Sequence, residues 1–138
     1  VIERGATRWS QLILLAQIMR GYAWLASDGP SLQSALDPPM PLDELQSNAA
    51  ERRPGYRIHH IVEQTSAKQD GFAQHLVDGR ENLVRIPTYK HWEINGWYSQ
   101  ENADFGGESP RDYLRGRSWD VRYQVGLEAL KRAGVLKP

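Results

Sequence analysis

The stretch Tyr-Arg-Ile-His-His-Ile-Val at residues 56–62 decides the fold of this chain. It is rich in β-branched and aromatic residues and follows Pro54 and Gly55, so it predicts a β-strand. Successive side chains on a strand point to opposite faces. We therefore expect His59 and His60 to face in different directions and to perform different tasks.

A second strand and a helix are predicted after a polar stretch at residues 63–80. The segment Leu-Val-Arg-Ile-Pro at residues 83–87 reads as a short strand closed by proline, with an Asp-Gly turn at residues 78–79 before it. Thr88 is a suitable N-cap for a helix over about residues 88–99. The predicted order is therefore strand, loop, strand, helix.

Helices are predicted on both sides of this segment. We expect the Asp-Gly-Pro sequence at residues 28–30 to end the first of them. We also expect most of the five tryptophans to pack in the core. The sequence signals predict helices over residues 7–26, 31–36 and 42–50, helix starts at Ser109 and Ser118, and the end of the last helix at Gly134.

A length of 138 residues fits one domain with a single core. Hydrophobic residues make up 40% and charged residues 25%, which is typical of globular domains, and the apolar run at residues 12–16 is too short to cross a bilayer. We predict an α+β fold with no membrane insertion. It divides into a helical lead-in (1–54), a central core (55–100) and a basic helical tail (101–138).

The ends and the charge of the chain give further expectations. The chain begins with Val1 and shows no signal-peptide pattern, so we expect it to be the C-terminal domain of a larger protein. It has no cysteine, which leaves His, Asp, Glu and Asn as metal ligands. The net charge is zero, but seven basic against three acidic residues give residues 109–138 a charge of +4. This tail is a candidate nucleic-acid-binding surface.

Phosphodiester hydrolysis is one reaction that a cluster of histidines can support. This reaction requires a nucleophilic water, a group that accepts the proton of that water, and positive charge on the phosphate oxygens. An imidazole accepts a proton at cellular pH, and imidazoles also bind metal ions. A cluster of histidines can therefore supply both functions.

The chain resembles the HNH, or ββα-metal, nucleases, particularly the nuclease domains of colicins and related bacterial toxins. The resemblance lies in His-His-Ile-Val at residues 59–62, in Asn-Leu-Val-Arg-Ile-Pro at residues 82–87, and in His91, which follows Asn82 with eight residues between them. It implies a ββα-metal (HNH) motif surrounded by helices.

The resemblance also implies a role for each site residue. His60 would be the general base, His59 and His91 would bind one divalent metal ion, and Asn82 would fix the loop and orient the His60 ring. Colicin-type members carry a further histidine ligand where this chain has Asn95. Because an oxygen ligand suits Mg²⁺ or Mn²⁺, we expect these ions ahead of Zn²⁺ or Ni²⁺.

Arginines supply the candidate substrate contacts. Arg57 and Arg85 lie on the predicted strands and either clamp phosphate or are merely exposed. Arg111, Arg115 and Arg122 follow at roughly helical spacing. They form either a cationic flank for the DNA backbone or a solvated helix face.

We therefore expect an endonuclease that cuts DNA with little sequence preference. The toxin-like motif suggests the effector domain of a secreted antibacterial toxin that is delivered into a target cell and acts in the bacterial cytoplasm, with a cognate immunity protein as partner. A phage or restriction-type HNH enzyme and a nuclease that prefers RNA are alternatives. A non-catalytic nucleic-acid-binding module is a third.

Overall fold

The computed structural model describes the backbone of residues 2–138 and the side chains of residues 11–20 and 28–138. Within these residues, helices combine with a two-stranded antiparallel sheet, which confirms the general α+β class. The elements in chain order are α1 (Ile2–Ser34), α2 (Leu42–Asn48), β1 (Tyr56–His60), α3 (Gln64–Gln69), α4 (Gln74–Val77), a 3-10 turn (Arg80–Asn82), β2 (Leu83–Pro87), α5 (Thr88–Ser99), a 3-10 turn (Ala103–Phe105), α6 (Pro110–Tyr113) and α7 (Trp119–Arg132).

The two predicted strands form the sheet. β1 and β2 pair in the register that runs from Tyr56 opposite Pro87 to His60 opposite Leu83. β1 is shorter than predicted: the Ile61 N–H still donates to the Asn82 carbonyl at 2.9 Å, but the Val62 N–H donates to the Asn82 side chain instead of to backbone. The histidine pair therefore lies at the very end of β1.

α5 follows β2 without a connecting loop. Its N-cap is Pro87 and not Thr88, which is the first helical residue. The Thr88 N–H donates to the Gly55 carbonyl at 3.0 Å, so the backbone of the neighbouring turn performs the capping expected of a side chain. The direct junction fixes the start of α5 beside the sheet.

The main core lies between the sheet, α5 and α7. Its side chains are almost fully buried, and they come from the interior face of β2, the inner face of α5 and the residue that follows β1. This packing fixes the elements that carry His59 and His91 relative to each other. Central members are Ile61, Val84, Ile86, Ile94, Tyr98 and Leu130.

α7 approaches the end of β1 closely at Gly126. A Cβ atom there would lie 2.7 Å from Ile61 Cγ2 and still nearer to the Ile61 carbonyl oxygen. Although alanine favours helix, we expect Gly126→Ala to lower the free energy of unfolding by about 1–3 kcal/mol, because the clash involves backbone. Urea denaturation measures this change.

Gly96→Ala is the matched control for that measurement. Gly96 lies within α5, and a Cβ atom there would meet nothing within 4 Å. This variant should keep or raise stability by up to about 1 kcal/mol. Equal stability of the two alanine variants would contradict the close approach at Gly126.

The polar stretch at residues 63–80, predicted as a loop, contains α3 and α4. Neither helix has a side-chain N-cap, so no capping residue in the sequence predicts where they begin. A small second core holds them, in which Ala67 and Val77 pack with Val62. Phe72 and Trp119 pack against its edge. Tertiary packing, which the local sequence does not encode, explains the helices.

Arg122 does not belong to an exposed cationic face. Its side chain is 2% exposed, and it donates to Asp70, to Ser66 Oγ and to the Arg117 carbonyl. It also lies over the ring of Phe72. The interpretation of Arg122 as part of a nucleic-acid-binding flank is therefore wrong, because the side chain ties α7 to the second core.

The C-terminal helix signals are confirmed. Ser109 Oγ accepts from the Asp112 N–H, and Ser118 Oγ accepts from the Val121 N–H. Gly134 follows the end of α7 with a φ of 74°, as a glycine after a helix C-cap does.

α1 differs from the prediction at both its end and its surface. It continues through Pro30 to Ser34, because the Ser34 hydroxyl donates to the Gly55 carbonyl at 2.6 Å and Pro30 lies against Gly55. The apolar side chains at residues 12–15, 18 and 19 are each more than half exposed, so this part of α1 does not pack on the core. The side chains of residues 1–10 and 21–27 lie outside the described set.

The tryptophans divide into two groups. Trp97 and Trp119 are partly buried against the cores, as expected, whereas Trp92 is exposed. Trp9 and Trp24 lie outside the described side chains. Among the residues that were searched, no helix has the length and apolarity needed to span a membrane.

Candidate active site

His59 and His91 meet where β1 ends and α5 begins. His59 is 4% exposed, and His91 lies in the first turn of α5. Their Nδ1 atoms are 3.2 Å apart, and the rings meet edge to face. The pairing of β1 with β2 and the direct β2–α5 junction bring these two residues together across 32 positions of sequence.

The environment keeps both rings neutral. Burial lowers the pKa of His59 to about 3, and the charges of His91 and His60 act in the same direction. Burial also lowers the pKa of His91, assisted by the charges of Arg57 and His60. A neutral imidazole is the form that binds a metal ion.

The geometry of the pair fits a shared metal ion. Two nitrogen ligands at ~2.0–2.1 Å from one ion lie roughly 3 Å apart, which matches the Nδ1 separation of 3.2 Å. His59 Nε2 is buried and has no hydrogen-bond partner. Among the residues that were searched, no group of three His, Asp or Glu side chains forms a ready-made metal site. The imidazoles of His59 and His91 are therefore the two candidate metal ligands.

Asn95 lies beside His91 but on the far side of its ring. The Asn95 side-chain amide is 3.3 Å from His91 Nε2, one helical turn further along α5. Because an amide nitrogen donates, the neutral His91 ring accepts from Asn95 at Nε2 and carries its proton on Nδ1, which donates to His59 Nδ1. The contact orients His91, and a metal ion held between the two Nδ1 atoms would require that proton to leave Nδ1. In this position Asn95 adds no oxygen to the paired nitrogens, so the reason for preferring Mg²⁺ or Mn²⁺ is weaker.

His60 has a carboxylate partner that the sequence interpretation missed. His60 Nε2 is 2.9 Å from Asp78 Oδ1, and the side chains are 21% and 42% exposed respectively. Hydrogen bonds from His60 and Gln74 lower the pKa of Asp78, so it accepts as a carboxylate. When the His60 ring is neutral, this contact places its proton on Nε2 and leaves the Nδ1 lone pair available.

Asn82 is a buried bridge between backbone segments. Its Oδ1 accepts from the Val62 N–H at 2.8 Å, and its Nδ2 donates to the carbonyls of Val62 and Val77 at 3.2 and 2.8 Å. This arrangement matches the predicted task of fixing the loop. The His60 Nε2–H donates to Asp78 and not to Asn82, so the expectation that the Asn82 amide orients the His60 ring directly is wrong. Asn82 acts on the ring only through the backbone next to His60 and Asp78.

The histidines share an open pocket of about 640 Å³ with Arg111 and Arg115. The Arg111 guanidinium binds both carboxylate oxygens of Glu63 at 2.6–3.1 Å and donates to Ser99 Oγ at 2.8 Å. The Glu63 carboxylate also raises the pKa of Arg111. Arg111 is thus held in a fixed orientation, whereas Arg115 is exposed. Glu63 carried no sequence signal, because its partner lies 48 residues away.

Arg57 and Arg85 line a different groove, on the other side of His91. Arg57 is exposed, and Arg85 is partly buried. Arg85 donates to the Glu51 carbonyl at 3.1 Å and lies over the Tyr56 ring. The structure thus separates the four predicted substrate arginines into two pairs, with the histidines between them.

Comparison of the chain with family models, curated proteins and solved structures finds no significant match. A function can therefore be inferred only from the residue pattern and from the geometry of this site.

Proposed function

We propose that this chain is a metal-dependent endonuclease that hydrolyses DNA, with β1, β2 and α5 forming a ββα-metal site. The observation that supports it is the meeting of His59 Nδ1 and His91 Nδ1 at 3.2 Å in the same pocket as the His60–Asp78 pair. A metal-binding pair and a candidate base are the two components that this hydrolysis requires.

His60 accepts the proton of the attacking water at Nδ1. Asp78 accepts the Nε2–H and so fixes both the tautomer and the direction of the ring. When Nδ1 takes up the proton, the ring becomes a cation, and the Asp78 carboxylate stabilises that charge. The pair therefore activates water without first needing a charged histidine.

His59 and His91 are the residues that would hold the metal ion. A divalent cation bound there supplies positive charge to the phosphate oxygens and to the leaving oxygen. Two imidazole nitrogens suit Ni²⁺ or Zn²⁺ better than Mg²⁺ or Mn²⁺. Asn95 orients His91 through the contact at Nε2.

Arg111 and Arg115, which line the same pocket as the histidines, bind the phosphate. The bidentate contact with Glu63 restricts the Arg111 side chain before substrate arrives, which reduces the entropy lost on binding. Arg115 is exposed and adds a second positive charge to the same pocket.

Asp78→Asn should lower kcat for DNA cleavage by about 10-fold to 100-fold with little change in KM. The amide oxygen can still accept the Nε2–H of His60, but it lacks the charge that stabilises the protonated ring. Asp104→Asn, at an exposed 3-10 turn, is the matched control and should cleave like wild type. A normal kcat for Asp78→Asn would show that the contact is not used in catalysis.

The proposal is tested by incubating the purified chain with supercoiled plasmid, and separately with single-stranded RNA, in the presence of Ni²⁺, Zn²⁺, Mn²⁺ or Mg²⁺ in turn, or of EDTA. We expect nicking and linearisation of DNA that EDTA abolishes. Cleavage of RNA alone would retain the nuclease and change its substrate. Nucleic-acid binding that is insensitive to EDTA, without cleavage by a folded chain, would instead support a binding module.

We further propose, on the resemblance to toxin nucleases, that the chain is the effector domain of a secreted antibacterial toxin with a cognate immunity protein. Expression of wild type in a bacterial cytoplasm should then stop growth, and His60→Ala should not. Normal growth at equal levels of a soluble, active wild-type chain would count against a toxin.

A further inference from the structure

A second groove, of about 490 Å³, adjoins the histidine pocket. Four of its lining residues are arginines, and none is acidic. The groove lies in a chain whose net charge is zero, so the positive charge is concentrated locally. The arginines are Arg52, Arg53, Arg57 and Arg85.

The arginines of this groove differ from the paired arginines elsewhere. Arg111 and Arg122 form ion pairs with Glu63 and Asp70. In the part of the chain that the structure describes, no ion pair within 4.0 Å involves any of the four groove arginines. Their charge is therefore available to an anionic ligand.

Two of the four arginines pack against an aromatic ring in the wall of the groove. Arg53 and Arg85 both lie over the Tyr56 ring, at 5.5 and 5.0 Å from its centroid. Arg52 and Arg57 are exposed. The groove thus has two arginines that pack on the Tyr56 ring and two that are exposed and unpacked. This arrangement suits phosphate groups whose positions vary along a flexible backbone.

His91 lines both the groove and the histidine pocket. On β1, Arg57 and His59 are two residues apart and so project from the same face of the strand. Arg111 and Arg115 line the pocket and the four groove arginines line the adjoining groove, so arginines lie in both cavities that His91 borders. Glu63 and Asp112 balance the charge of the pocket, whereas the groove has no acidic residue. A ligand that contacts both cavities must extend past His91.

We propose that the groove of Arg52, Arg53 and Arg57 binds backbone phosphates of the substrate strand next to the position of cleavage. This inference rests on the proposed nuclease function for the identity of the ligand. The strand passes through the site and does not end in it, so cleavage is internal. The contacts are to phosphate, so they add affinity without sequence preference.

The test measures binding without cleavage. The His60→Ala chain in EDTA is titrated into fluorescently labelled 20-mer DNA, single-stranded and duplex, at several salt concentrations. Adding Arg52→Gln and Arg53→Gln should weaken binding roughly tenfold and reduce the salt dependence by about two counterions. Arg57→Gln alone should act in the same direction by a smaller factor.

Arg20→Gln with Arg80→Gln is the matched control, because it also removes two exposed arginine charges, and neither residue lines the groove or the histidine pocket. It should change affinity by less than about twofold. Circular dichroism checks that each variant is folded. If both double variants bind alike, or if the chain binds neither oligonucleotide, the groove proposal is wrong.

The outcome is separable from that of the nuclease proposal. If wild type cuts no nucleic acid but the Arg52 and Arg53 changes still weaken binding more than the control changes do, the groove proposal is supported and the nuclease proposal is wrong. If wild type cuts DNA and the groove changes match the control, the activity stands and the groove is overturned.

Discussion

His60→Ala is expected to lower the rate of DNA cleavage by roughly a hundredfold to ten-thousandfold. The side chain is the candidate base, and Asp78 holds its Nε2 at 2.9 Å so that Nδ1 is free to accept a proton. Alanine removes the proton acceptor but leaves the His59 and His91 pair unchanged. Metal and DNA binding should therefore persist while cleavage is lost. Single-turnover assays on plasmid DNA measure the rate.

His75→Ala is the matched control for this variant. His75 is exposed on α4 and is absent from the lining of the histidine pocket. It should cleave at the wild-type rate. A His60→Ala chain that retains a rate within about tenfold of wild type would require a different base.

Asn82→Ala is expected to lower the free energy of unfolding by about 3–5 kcal/mol. Three buried hydrogen bonds would be lost, and each unsatisfied backbone group costs ~1–3 kcal/mol. This is a large part of the ~5–15 kcal/mol that stabilises a typical domain. Urea denaturation followed by tryptophan fluorescence measures the loss.

The same change should also impair cleavage under conditions where the variant is folded. Asn82 ties Val62, two residues after His60, to Val77, the residue before Asp78. Losing this bridge lets the two halves of the His60–Asp78 pair move apart. Catalysis should therefore fall further than the folded fraction does.

Asn102→Ala provides the comparison. Asn102 Oδ1 accepts one exposed hydrogen bond, from the Asp104 N–H at 2.9 Å. Its loss should cost only about 1 kcal/mol. If Asn82→Ala is no more destabilising than Asn102→Ala, the buried bridge contributes little to the fold.

The sequence was sufficient to predict the sheet and the helix that carry the histidines. Strand β2 has the predicted bounds, because its β-branched residues and closing proline are local signals. Once β1, β2 and α5 are in place, His59 and His91 must approach each other. This part of the site follows from the order and length of three short elements.

Contacts over long sequence distances could not be predicted in this way. Asp78 was interpreted as a turn residue, and nothing near it in sequence indicates that it reaches His60, 18 residues earlier. Arg122 has the spacing of an exposed helical charge, but its partner Asp70 is 52 residues away. In both cases the tertiary packing selects the partner.

Local breakers can also be overridden by tertiary contacts. The Asp-Gly-Pro sequence at residues 28–30 does not end α1, because the last turn of the helix is held against Gly55. Gly55 has a φ of 87°, and a Cβ atom there would clash with the Pro30 carbonyl oxygen, so a glycine is needed for the two segments to approach this closely. Propensity alone does not include such a contact.

The most direct measurement is whether added metal ions restore DNA cleavage to the metal-free chain, with the His59 and His91 pair either intact or removed. The wild-type chain and a double variant that carries both His59→Ala and His91→Ala are stripped of metal with EDTA and dialysed. Each is then mixed with supercoiled plasmid and Mn²⁺, Ni²⁺, Zn²⁺ or Mg²⁺ in turn. We predict that wild type regains nicking with at least one ion and that the double variant, folded by circular dichroism, regains it with none. Equal cleavage by both chains, or none by folded wild type with any ion on DNA or RNA, would contradict a metal-dependent nuclease centred on this pair.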